Sequence, residues 1–204
     1  MKLLRPWTGL LLACVLPACT ALPSAPVRPA VYDFGPGDLM PAPAARPALP
    51  PIVLHEIAAP VALESAAMLY RLAYADAQQL RPYAHARWSM PPAQLVRQRL
   101  REALSRERAV LDPRETAAPL ALRVELQEFS QLFNSAEQSS GLVRLRATLF
   151  AVKEGADQFL AQRDFVVQRP AASPDAPGGV RALTAATDAA VGEIGAWLRQ
   201  QPAK

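Results

Sequence analysis

The chain has 204 residues, 51% of them hydrophobic and 20% charged, with a net charge of +4. That balance fits a globular protein of about one domain and excludes disordered and collagen-like chains. So weak a positive charge gives no ground for a nucleic-acid partner, and two cysteines, Cys14 and Cys19, exclude a disulfide framework beyond them.

The first element in chain order is a signal. Lys2 and Arg5 precede an apolar run from Trp7 to Ala18. The run is short of the roughly 20 residues that span a bilayer. A basic start, a short apolar region and small residues before a cleavage point describe a secretory signal peptide, here residues 1–18. Leu16-Pro17-Ala18-Cys19 fits the bacterial lipobox: aliphatic, variable, small, then cysteine. The cysteine is required because its thiolate takes the diacylglycerol group, after which cleavage frees its amine. Cys19 is therefore the expected lipidation site. Leu11-Leu12-Ala13-Cys14 is a rival, although it would leave an apolar region of only about seven residues. A disulfide between the two cysteines, or their burial in a helix, is a further alternative. Loss of residues 1–18 removes Lys2, Arg5 and no acid, so the mature charge is 4 − 2 = +2.

Residues 19–50 hold the lipidated cysteine and a Pro/Ala-rich tether. Proline fixes φ and lacks an N–H, which favours extended chain over helix. The part before Val31 would reach about 30 Å at ~3.1 Å per residue. Residues 31–34, Val-Tyr-Asp-Phe, interrupt the prolines and predict a first edge strand with residues 35–38 as its turn.

A single α+β domain is expected over residues 51–201. Residues 51–60 and 66–74 alternate like strands, and Met68, Leu69, Tyr70, Leu72 and Tyr74 are mostly on one face. After a polar turn at residues 76–79, residues 79–89 read as the return strand of a hairpin. Residues 91–108 are the clearest helix. Proline is tolerated at its start, and Val96, Leu100, Ala103, Leu104 and Leu111 form its apolar stripe. Leu120, Leu122, Val124 and Leu126 alternate strictly, and the pattern slips at Glu128-Phe129, which signals a bulge or the strand's end. Two further strands, 142–152 and 158–168, flank a short turn at residues 153–157. A Pro/Gly loop at residues 170–179 leads to a last helix over about 180–200. Its stripe is Leu183, Ala190, Val191, Ile194 and Leu198, with Trp197 at the margin. Strands, helix, strands, helix predict a mainly antiparallel sheet with two amphipathic helices packed on one face.

The chemistry is sparse. His55 and His85 lie in no metal-ligand spacing, and no nucleophile-elbow, zincin, phosphate-loop or dinucleotide motif occurs. Gly178-Gly179 could hold an anion at a helix start, but turn geometry accounts for it. No catalytic residue, metal or cofactor is expected. The arginines around the first helix allow two readings. They are a basic surface for anionic headgroups or an acidic partner, or they are solvated side chains whose stems line the core edge. Trp88 reads as core or as an interface anchor.

These residues resemble a known family. A lipobox, then Tyr32-Asp33-Phe34-Gly35, the Leu69-Tyr70-Arg71-Leu72 strand, residues 80–104 with Tyr83, Arg87, Trp88 and Pro91-Pro92 in order, and a hairpin-rich second half ending in a helix are similar to the ABC-type transport auxiliary lipoproteins. These are PqiC-like envelope proteins that accompany MCE-domain transport systems. The resemblance covers nearly the whole mature chain, and its strongest part is residues 83–104. It implies a non-catalytic periplasmic lipoprotein whose partners are an MCE-domain protein and an inner-membrane ABC permease and ATPase. It also implies lipid or hydrophobic-molecule trafficking, a homo-oligomer, and a partner met either at the sheet edge or at the hairpin, with Tyr83, Arg87 and Trp88 as the candidate interface residues. Thr20 in place of an aspartate points to the periplasmic face of the outer membrane. A structural cell-envelope lipoprotein and a lipid-binding carrier remain the alternatives.

Overall fold

The computed structural model describes residues 28–37, 49–113, 118–154 and 156–201. In chain order, strands β1 (Ala30–Tyr32), β2 (Ile52–Leu54), β3 (Ala67–Leu72) and β4 (Asp76–Trp88) precede helix α1 (Pro92–Ser105). Strands β5 (Val110–Leu111), β6 (Leu120–Phe133), β7 (Ser139–Ala151) and β8 (Gln158–Pro170) then precede helix α2 (Ala176–Arg199).

β6 is the hub of one eight-stranded sheet. On one side it pairs antiparallel with β7 along its whole length, and β7 pairs likewise with β8. On its other side, residues 131–133 meet β3 and residues 120–122 meet β2, both parallel. β3 continues antiparallel into β4, β4 continues parallel into β1, and β2 continues parallel into β5. The sheet is mainly antiparallel because its long ladders are. Each parallel contact is two or three residues long.

The alternation in β6 explains the core. Leu122, Val124 and Leu126 point to one face and are at most 1% exposed. Phe129 must join them, but an even count from Leu126 would turn it outward. A bulge between Leu126 and Glu128 inserts the missing residue and keeps Phe129 inside. Val143, Leu145, Ala147 and Leu149 of β7 and Phe165 and Val167 of β8 extend the same layer. Both helices cover it, α1 through Leu95, Val96, Leu100 and Leu104 and α2 through Leu183, Ala186, Ala190, Ile194 and Leu198. α2 lies so close to β7 that a Cβ on Gly141 would overlap the backbone at Ala182 and Leu183. A smaller cluster of Val53, Ala118 and Ala121 packs with Leu111, Phe150 and Val152.

The expected α+β architecture is the one observed, with local corrections. The turn placed at residues 76–79 lies at 73–75, and Asp76 already begins β4. The Arg71 guanidinium donates to the carbonyls of Ala77 and Gln78, so this polar stretch is held in the hairpin with no core beneath it. α1 ends at Ser105, and Leu111, assigned to its stripe, sits in β5 instead. α2 starts earlier than expected, at Ala176, because Asp175 caps it by accepting from Gly178 N at 2.7 Å. Trp197 is 5% exposed and packs edge-on against Phe165 with centroids 5.9 Å apart, so it belongs to the core rather than its margin. Packed chain also reaches N-terminal of residue 51: β1 lies in the sheet and Phe34 is buried in the main core.

Candidate functional site

Cys14, Cys19 and most of the tether fall outside the described residues. The candidate interface on β4 does not, and its three members have different surroundings. Between the pairs Ala67 with Arg87 and Leu69 with Pro82, β3 advances two residues while β4 advances five. The surplus, around residues 83–86, bulges from the ladder. This turns Tyr83 inward against Tyr70, with ring centroids 4.7 Å apart. Its hydroxyl donates to Gln131 Oε1 at 2.9 Å, and Gln131 Nε2 donates to Ser139 Oγ at 2.8 Å. Gln131 is wholly buried, so this relay satisfies a costly group. Gly179 allows it, since a Cβ there would overlap the Gln131 amide. Burial, with smaller contributions from Tyr70 and Asp175, pushes the Tyr83 phenol well above its ordinary pKa, so it stays a neutral donor.

Trp88 is 1% exposed. Its ring packs edge-on against Phe34 and Phe129, with centroids 5.6 and 5.5 Å away. Nε1 has no hydrogen-bond partner among the described residues. Trp88 is thus a wedge of the core and offers no surface to a partner in this fold. Only Arg87 of the three is exposed, opposite Val31 of β1. The stretch that carries the resemblance is mostly packing.

The arginines of α1 are also engaged. Arg97 and Arg101 both donate to Asp112 Oδ1 at 2.6 Å, and Arg97 also donates to the carbonyls of Leu54 and His55 at 3.4 Å. The hydrogen bond from Arg97 is the largest cause that holds the Asp112 carboxyl below its ordinary pKa. Arg99 donates to Phe34 O and pairs with Asp188 at 3.2 Å. Arg108 is buried. The guanidiniums of Arg97, Arg99 and Arg101 tie helix to strand and to the N-terminal segment, so the reading as core-edge side chains holds for them. His85 is exposed, and burial lowers the pKa of the half-buried His55. Among the described residues no three His, Cys, Asp or Glu side chains converge to hold a metal ion, and no helix is long and apolar enough to cross a membrane.

The strand expected over residues 158–168 forms as β8, but its place at the sheet edge is not read from the sequence. It pairs only with β7 among the described residues, so its other edge is open for 13 residues. Charged residues inside the strand and Pro170 at its end are the marks of an edge. They were legible but outweighed by the apolar residues between them.

A family model for the ABC-type transport auxiliary lipoprotein component matches residues 32–195. The chain belongs to this family. Transport auxiliary lipoproteins are non-enzymatic in kind, which accords with the sparse chemistry. Comparison with curated proteins finds no match. Among solved structures, a Xanthomonas campestris protein of family DUF330 is similar at TM-score 0.65 and 19% identity, covering 84% of this chain and 93% of its own. A hypothetical protein from Chlamydia trachomatis is similar at TM-score 0.53 and 10% identity, covering 77% of this chain and 98% of its own. At such identities the likeness is one of fold. The auxiliary-lipoprotein match runs from Tyr32, the last residue of β1, through Phe34, strands β2 to β8 and α1, to residue 195 within α2.

Proposed function

We propose that this auxiliary lipoprotein docks an MCE-type ABC transport assembly at the periplasmic face of the outer membrane, for trafficking of lipid or other hydrophobic molecules. An acyl anchor on Cys19 holds it there, and the tether sets its height. The MCE-domain protein and the inner-membrane permease and ATPase are its partners, and ATP hydrolysis belongs to the ATPase. The observation that carries the reading is the family match across residues 32–195.

The packing of the domain favours docking over carriage of a ligand. Leu122, Leu145, Leu183 and Ile194 fill the layer between sheet and helices, and Gly141 brings α2 onto β7. A carrier would need that layer to open.

Crosslinking in cells followed by purification tests the proposal. The MCE-domain protein is expected to co-purify. No association, together with intact transport after deletion of this chain, would sink the proposal. A palmitate analogue should label the protein and the Cys14→Ala variant but not Cys19→Ala. The reverse pattern would make Cys14 the anchor.

A further inference from the structure

The open edge of β8 has a pattern of its own. Phe165 and Val167 point to α2 and are buried. By alternation Arg163 and Arg169 share their side of the sheet, while Asp164 and Val166 face the other way. Asp164 is engaged by Arg146 of β7, at 2.7 Å to Oδ1 and 3.1 Å to Oδ2. Arg163 stacks over the Phe165 ring at 5.3 Å, and Arg169 donates only to the carbonyl of Gln168. Neither arginine forms an ion pair among the described residues. Val166, between them, is 56% exposed. Over residues 163–169 the free edge therefore presents unpaired backbone groups, two uncompensated cations and one exposed apolar side chain, while Phe159 and Leu160 are exposed at the start of the strand. At the other margins β1 and β5 offer three and two residues of strand, and β4, unpaired on its outer edge over residues 76–85, is interrupted there by Pro82 and the bulge at residues 83–86.

We infer that β8 accepts an extended acidic segment of a partner protein as an added ninth strand. The inference rests on the docking role proposed above and names the surface and the chemistry of the occupant. Main-chain hydrogen bonds along the edge supply affinity, and the side chains set the register. Arg163 and Arg169 are six residues apart on one face, with Val166 midway on the other. The matching segment carries two acids six residues apart, an apolar residue midway between them, and no proline inside. The tether of this chain does not fit. Its prolines lack the donor that a ladder needs, and residues 39–50, rich in proline, hold Arg46 and no acid.

The test uses the full lipoprotein in detergent and nine-residue threonine peptides, read by fluorescence anisotropy. The first peptide has glutamate at its second and eighth places and valine at its centre. The second has lysines for the glutamates. The third keeps the glutamates but has prolines on both sides of the valine. The first is expected to bind at least about tenfold tighter than either of the others, the scale of two exposed charge pairs. The double variant Arg163→Glu, Arg169→Glu, altered only at exposed positions, is expected to reverse the preference between the first two. Equal binding of the proline peptide would reduce the effect to unspecific attraction and overturn strand addition. No saturable binding of the first peptide, or an unchanged preference in the double variant, would overturn it too. So would a self-associated chain that Val166→Lys dissociates, because a second copy would then hold the edge. Failure here leaves association with an MCE-domain protein to be decided by the co-purification described above.

Discussion

The sheet is finished differently at its two sides. At the β4 side, β1 adds a short last strand, Phe34 closes over Trp88, and Arg99 pins the carbonyl of Phe34. At the β8 side, a strand four times as long ends the sheet with nothing paired to its outer edge among the described residues. The β4 side carries the stretch most distinctive in sequence, and the β8 side looks ordinary. Distinctive residues here mark difficult packing: a tryptophan, a bulge and a buried glutamine must all be accommodated. The surface left for a partner is made of common residues whose meaning depends on which strands sit beside them.

The largest expected effect comes from unsealing the β4 side. Trp88→Ala should cost about 3–5 kcal/mol in urea unfolding, as for large aromatic truncations in cores. Val166→Ala on β8 should stay within about 0.5 kcal/mol, as for surface changes. Similar costs for the two would erase the contrast between sealed and open sides. Next is Gly141→Ala, which pushes α2 off the base that supports β8. A loss of about 1–3 kcal/mol is expected from overpacking, and an unchanged unfolding midpoint would show that α2 yields freely. Asp175→Ala removes the cap of α2 and should cost about 1 kcal/mol, read as a lower melting temperature.

The smallest effect concerns acid. The Asp164 carboxyl is held below its ordinary pKa, first by the hydrogen bond from Arg146. A depressed folded pKa contributes stability that is present above the unfolded value of about 4 and lost as pH falls through the folded one. Acidification from pH 5 to pH 2 should therefore speed hydrogen exchange in β8 more in the parent than in Asp164→Asn. Identical profiles would show that the Arg146 pair does not hold the edge to β7.

How much of this was legible in sequence follows from the range of each signal. The 3.6-residue stripe of α1 and the alternation in β6 are local, and both elements formed, although α1 stops at Ser105 and leaves Leu111 to β5. The slip at Glu128 was visible, and the core resolved it as a bulge because Phe129 had to stay inside. The parallel contacts of β1, β2 and β5 were not legible, since two or three residues carry no period and their partners lie far away in sequence. Trp88 read as both anchor and core until Phe34 and Phe129 were seen around it. Arg163 and Arg169 were passed over because a strand's place at the edge is a property of the whole sheet.

The most direct measurement places a photo-crosslinking side chain at Gln162 on β8 or at His85 on β4, in cells that make a tagged MCE-domain protein. Both positions are exposed. Docking through the open edge predicts an adduct with the tagged protein from position 162 and none from position 85. An adduct from position 85 alone would contradict the account and return the interface to the β4 side.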